Sequence, residues 1–494
     1  MLRITIKNFG PIASYTHELD DDFVLIVGEN NIGKSYAISL VYLIVKILVA
    51  GRRTITQQRR FQFELESEYQ AFNFRRPASG WLKTVEASAQ AGDLKSDLNV
   101  TDHVKEDLKL AWERSLLPDI RDALYGTFNE IRNLQNRFTS EPLELEIGDD
   151  RSCLTIGVVE DQLVVKNVQL RQKYLVRRVK AVRTFKETAD TISIYLPDDK
   201  NEQFERNYAH AFYQLFTHPL RRAAQTVSDL HYLPASRSGL YQALSAFSQI
   251  VAELAKSRTL LSSRLVLPAI SVPLSDYFLK LSNIRATVNA QRSSIFANIA
   301  ERLEKEILRG KVDFDSKAKR LLFKPDGVEL ALDLSATSSM VSEISPIAAY
   351  FKYVLPRAEM LYKERPMEKV PKQIVIIEEP EAHLHPELQI AVVAVFAEMA
   401  KSAGVKVIMT SHSNYVFNKV SNLVISGEID RRSFKSVLFH RTRSGGVADQ
   451  MKVSELGIED VNFVDVGERL FEERVSLFEK KELTSVVRND PSAS

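Results

Sequence analysis

Gly28-Glu29-Asn30-Asn31-Ile32-Gly33-Lys34-Ser35 fits the pattern G-x-x-x-x-G-K-[ST], and it lies between the apolar run Phe23–Val27 and the apolar stretch Tyr36–Ala50. A buried strand, a glycine-bearing turn and a helix in that order let consecutive backbone N–H groups face phosphate oxygens, with the positive end of the helix dipole behind them. Far along the chain, Ile374-Val375-Ile376-Ile377 is a second buried-strand run, and it ends in the paired carboxylates Glu378 and Glu379. The groups that grip a triphosphate, hold its Mg²⁺ and orient a water are thus split between two distant segments. The chain between them reads as insertion into one nucleotide-binding fold.

Each residue type suits a task. Gly28, Asn30, Asn31, Ile32 and Gly33 form the cradle. Lys34 neutralises the β- and γ-phosphates, and Ser35 offers a hydroxyl to Mg²⁺. Glu378 is placed to hold the metal's shell, and Glu379 to orient and polarise the attacking water, the main task left to protein in phosphoryl transfer. Adjacent glutamates can also cap an exposed turn, but four β-branched residues before them and Pro380 after them favour a strand end.

The chain has 494 residues, 45% hydrophobic and 26% charged, with a formal net charge of +2. That is the make-up of a globular protein with a large core, and it leaves nucleic-acid binding open without arguing for it. The single cysteine, Cys153, excludes an internal disulfide framework or a Cys-based zinc site and suits a reducing cytoplasm. Tyr36–Ala50, interrupted by Lys46, is shorter than the roughly 20 residues a bilayer span needs, so a buried helix and no membrane association are expected.

The pattern divides the chain as follows: 1–50, the N-terminal part of the core; 51–229, an inserted helical and β lobe; 230–239, a return to the core. Residues 240–310 read as a helical insertion, 311–480 as the C-terminal part of the core, and 481–494 as a frayed tail. Short strands are expected at 143–147 and 154–159, and the Leu230–Ala235 run brings Arg237 back toward the core.

Glu378-Glu379-Pro380-Glu381-Ala382-His383-Leu384-His385-Pro386 closely resembles the Walker B and following loop of ABC-type ATPases of the RecF, SMC and OLD group. Thr410-Ser411-His412-Ser413 stands where that group carries its switch histidine. The resemblance implies an α/β P-loop NTPase of ABC-ATPase head type with inserted helical and mixed α/β lobes. It implies ATP and Mg²⁺ as ligands, and a His412 that senses the γ-phosphate and joins Lys34 and Glu379 in catalysis. Leu334-Ser335-Ala336-Thr337-Ser338-Ser339-Met340-Val341-Ser342-Glu343 resembles the S-S-G-x-x-E signature of OLD-like ATPases, with Met340 in place of glycine. Helix-capping serines look similar. If the signature holds, Ser338 and Ser339 contact nucleotide bound by a second copy. Asn8-Phe9-Gly10-Pro11 resembles a turn near the nucleotide base, or is an ordinary strand-ending turn. Arg237 either approaches phosphate or forms a salt bridge. His383 and His385 lack a third ligand cluster and read as loop residues.

Two basic clusters, Arg52 to Arg60 and Arg171 to Lys186, either track a phosphate backbone or are solvated faces. Glu459, Asp460 and Asp465 offer no D-x-D arrangement of the kind a Toprim nuclease carries. The chain therefore resembles the stand-alone ATPase subunits of bacterial antiphage systems such as PARIS and Septu, which control a separately encoded effector, expected here to be a Toprim or HNH nuclease. The alternative is a DNA-repair or chromosome-associated SMC/RecF-like ATPase that binds DNA directly.

Overall fold

A computed structural model describes residues 2–62, 81–82, 84–85, 97–179, 185–197, 201–239, 270–284, 294–316, 318, 320–356, 370–460 and 468–478. Most of the 240–310 insertion, the tail 481–494, Lys180, Arg183, Asp465 and the side chains of Arg52 to Arg60 lie outside the described residues.

The four-residue β-branched run and its counterpart Phe23–Val27 belong to one parallel block, with the strand Lys406–Ser411 between them. Its strands run in the order Val227–Leu233, Lys372–Glu378, Lys406–Ser411, Phe23–Gly28, Phe434–Thr442. Each pairs in parallel with the next, in a register that sets Leu233 beside Ile377, Glu378 beside Thr410, and Ser411 beside Val27. Strands buried on both faces read as continuous apolar runs, which is why these segments stand out in the sequence. Alternation still sorts their side chains. Val24, Ile26, Ile374, Ile376 and Ile408 enter the core shared with the helix Lys34–Gln62. Leu25, Val27, Val375, Ile377 and Met409 enter the opposite core, with Phe396 and Phe417 from the helices Pro386–Ser402 and Asn414–Ile425.

The same sheet continues through Gly445–Gln450, Ile12–Glu18, Arg3–Phe9, Glu144–Gly148, Ser152–Val159 and Gln162–Leu170, making 11 strands. Residues 144–170, which the sequence pattern assigns to the inserted lobe, therefore extend the core sheet. The reason is pairing: Arg3 to Lys7 align antiparallel with Gly148 to Glu144, and Leu145 and Ile147 join the same core as Ile4 and Ile6. A separate four-stranded sheet carries Lys173–Val179 and Thr191–Pro197, and the helix Asn201–Thr226 returns the chain to the parallel block.

The apolar stretch after the phosphate loop is a core helix. Its Lys34–Gly51 portion is long and apolar enough to cross a membrane but is 61% buried within the protein. Before the carboxylate strand, the helix Ser339–Ala349 is followed by a π-helical turn over Tyr350–Val354.

Candidate functional site

The carboxyl ends of the parallel strands converge at one edge, where open α/β sheets bind their ligands. Gly28 ends its strand at φ 141° and Gly33 sits at φ 108°, both positive values that favour glycine. Packing reinforces this need. A Cβ on Gly28 would lie 2.2 Å from the Phe439 carbonyl oxygen, and one on Gly33 would lie 2.7 Å from Ile12 Cγ1. Asn30 and Asn31 are exposed on the loop, with Asn31 at φ 58°, whereas Ile32 is buried and anchors it. The Asn8-Phe9-Gly10-Pro11 turn closes a hairpin with positive φ at Asn8 and Gly10, and the Phe9 ring meets Phe128 at 5.2 Å.

Lys34, 5% exposed, donates from Nζ to the carbonyls of Gly28 at 2.8 Å and Glu29 at 2.6 Å. Its ammonium also lies 3.4 Å from His412 Nδ1. Burial pushes its pKa down to about 8, against the opposing pull of Glu379, Glu381 and Glu29. Since His412 Nδ1 faces an ammonium, it accepts, and Nε2 carries the proton toward Glu379 Oε1 at 3.4 Å. Hydrogen bonding to His412 accordingly holds the Glu379 carboxyl below its usual value.

Ser35 Oγ donates to Glu378 Oε2 at 2.5 Å. The other oxygen of Glu378 accepts from the Tyr232 hydroxyl, which lies 3.0 Å from Ser39 Oγ. Glu378 is 8% exposed, and burial raises its pKa despite the two hydroxyl donors. A hydroxyl and a carboxylate side by side are hard oxygen donors, the type Mg²⁺ takes. Glu379 follows in a left-handed conformation at φ 42°, its N–H bonded to the Thr410 carbonyl at 3.0 Å. Glu381 accepts from Ser411 Oγ at 2.7 Å and from the His412 N–H at 2.8 Å, which fixes the His412 loop onto the carboxylate loop.

Lys34, Ser35, Glu378, Glu379 and His412 are thus brought together. Ser338 and Ser339 are not in this network: both are exposed, and the Ser338 hydroxyl accepts from the Val341 N–H at 3.4 Å, as a helix cap does. Tyr232 received no role in the sequence reading, and Glu381, Thr410 and Glu343 stood in its motif strings without roles of their own. Tyr232 alternates with Leu230 on an apolar strand, so nothing local marks it as a partner of Glu378. Arg237 forms a salt bridge with Glu343 at 3.4 Å, the second of its two expected roles. His383, at φ 61°, and His385 are exposed and belong to no metal-type cluster among the described residues.

Residues 274–417 match the family described as AAA ATPase domain. That stretch holds the carboxylate strand and His412. Together with the phosphate loop on a parallel sheet, the match accords with an α/β P-loop ATPase fold. No curated protein matches the chain. Among solved structures, it is similar to an SMC head bound to the C-winged helix domain of ScpA, with 12% identity and a TM-score of 0.36. It is also similar to an SMC head domain from Thermotoga maritima, with 10% identity and a TM-score of 0.34. Each alignment covers 91% of this chain and 98% of the other.

Proposed function

We propose that the chain binds and hydrolyses Mg²⁺-ATP at this site, as the ATPase subunit of a bacterial antiphage system that senses a phage trigger and controls a separately encoded effector nuclease. The observation that carries the ATPase reading is the single network joining Lys34, Ser35, Glu378, Glu379 and His412. The loop N–H groups and Lys34 hold the triphosphate. On binding, the Lys34 ammonium exchanges its bonds to the Gly28 and Glu29 carbonyls for phosphate oxygens. Ser35 and Glu378 hold Mg²⁺, which supplies neutralisation of phosphate charge. Glu379, with its carboxyl held ionised, orients the attacking water, and His412 reports on the γ-phosphate. Ser338 and Ser339 of one copy meet the nucleotide of another, making the working unit a dimer or higher assembly in the cytoplasm.

The effector-control role rests on the likeness of the Glu378–Pro386 string to OLD-type ATPases. Binding to DNA, the alternative, is favoured by exposed Arg171, Lys173 and Lys186, although Arg177 and Arg151 are engaged by Asp97 and Glu187 at 2.8 Å each.

Sedimentation of the purified chain with and without Mg²⁺-ATP tests the assembly. Association that depends on ATP and is lost in Ser338→Ala/Ser339→Ala supports the sandwich. Unchanged association in that double variant rules it out. ATP-stimulated, salt-dependent DNA binding by the chain alone would shift the reading to the chromosome-associated class.

A further inference from the structure

Arg237 is fully buried, at 0% exposure, and it spends its guanidinium on three separate segments of chain. Nη1 donates to the carbonyls of Pro234 and Glu378 at 2.9 Å each, and Nη2 to the carbonyl of Glu379 at 3.3 Å. Nε donates to the Glu343 carbonyl at 3.2 Å and faces the Glu343 carboxylate at 3.4 Å. That carboxylate, 3% exposed, accepts in turn from the Arg237 N–H at 3.1 Å and from the N–H and hydroxyl of Ser238 at 3.3 and 2.5 Å.

Glu343 belongs to the helix Ser339–Ala349, which Ser338 caps. One buried ion pair therefore ties the helix that presents Ser338 and Ser339 to the backbone of the two carboxylates. Glu379 needs such a tie. It holds a left-handed φ of 42° without being glycine, a conformation that persists only where surroundings over-determine it. Thr410 grips its N–H and Arg237 its carbonyl, so the direction of its carboxylate is set from both sides. A buried pair is weak evidence of added stability, because apolar residues of equal volume would serve as well or better. Four hydrogen bonds directed onto the Glu378 and Glu379 carbonyls, the Pro234 carbonyl and Glu343 are what a planar fork, and not an apolar side chain, can supply.

We propose that Arg237 is a positioning residue, and that through Glu343 it couples engagement of the Ser338/Ser339 helix end by a second copy to the aim of Glu379. This rests on the reading of Glu379 as the water-orienting carboxylate and of Ser338/Ser339 as the contact with a partner's nucleotide.

The test follows phosphate release by the full chain with Mg²⁺-ATP across a range of protein concentrations, alongside sedimentation. Parent turnover per chain is expected to rise with concentration as ATP-bound chains associate. Arg237→Lys keeps the charge but not the fork. It should lower kcat on the order of 10²-fold, the scale of a small misplacement of a reacting group, with KM within about threefold. Its turnover should no longer rise with concentration, although ATP still drives association. Ser238→Ala, which loosens only Glu343, should fall between the two. A variant that keeps the concentration dependence, or that loses kcat and raises KM together in step with its melting temperature, overturns the coupling. If Arg237→Lys does not fold, Ser238→Ala decides, and parent-like behaviour there overturns it. A parent that turns over ATP independently of concentration also overturns the coupling while leaving the ATPase reading intact. A parent that neither binds nor hydrolyses ATP defeats both.

Discussion

Ser35 and Glu378 stand 343 positions apart in sequence and share a hydrogen bond of 2.5 Å. The bond closes the gap between the phosphate-loop helix and the carboxylate strand, with the strand Lys406–Ser411 lying between their two strands in the sheet. Two oxygens of the kind that hold Mg²⁺ are therefore already adjacent, and the Tyr232 hydroxyl on the far side of Glu378 stops that carboxylate from turning away.

Tyr232→Phe removes this stop. It should raise the Mg²⁺ concentration for half-maximal ATP binding by about tenfold or more, since a charge-assisted hydrogen bond contributes about 1.5–3 kcal/mol. Titration of Mg²⁺ at fixed ATP checks this, and an unchanged midpoint would show that Glu378 is aimed by something else.

Lys34→Ala should weaken ATP binding by at least about tenfold by the same scale, without lowering the melting temperature. The lysine is buried at a cost, so its loss removes a desolvated charge as well as a ligand contact. Calorimetric titration with ATP measures the first effect and thermal unfolding the second.

The pH dependence follows from the Lys34 pKa of about 8 in the free protein, below the ordinary lysine value of 10.5. Its unfolded form binds more protons than its folded form between those values. Relative to Lys34→Met, the free protein should therefore gain stability as pH rises from about 8 to 10.5. Phosphate binding needs the ammonium, so ATP affinity should fall as pH rises above about 8, by roughly tenfold per unit at the limit. Titrations in buffers of different ionisation enthalpy should reveal proton uptake on binding at pH 9. Absence of uptake would assign the low pKa elsewhere.

Ile376, fully buried in the carboxylate strand, carries no chemistry. Ile376→Ala should destabilise the fold by about 2–5 kcal/mol through the cavity it leaves. Denaturant unfolding reads this directly. ATP affinity at temperatures well below the transition should stay near that of the parent.

What was legible in the sequence was local. The phosphate loop, the Glu378–Glu379 strand end and the His412 strand each announce themselves within about ten residues, because burial on both faces demands a continuous apolar run. What was hidden depends on pairing between distant segments. Gly445–Gln450 contains no apolar run, yet it pairs with Phe434–Thr442 and with Ile12–Glu18 inside the main sheet. Leu145 and Ile147 show their alternation plainly, but nothing in it tells that their partner is the N-terminal strand and not another part of an inserted lobe. Tyr232 was unreadable for the same reason, and Arg237 was legible only as a phosphate contact or a salt bridge without its partner, since the partners lie 146 and 106 residues away. The capping geometry of Ser338 shows the opposite limit: sequence names the serines, while their proposed contact belongs to a second chain.

Phosphate release by Glu379→Gln, compared with the parent at matched ATP occupancy, tests most directly whether these residues form one hydrolytic site. Gln keeps the size of the side chain and leaves Lys34 and Ser35 in place, but it cannot act as the ionised carboxylate. The account predicts ATP bound as tightly as by the parent, release slowed by about 10²–10⁴-fold, and a more persistent ATP-bound assembly. Release at the parent's rate from the variant would contradict it.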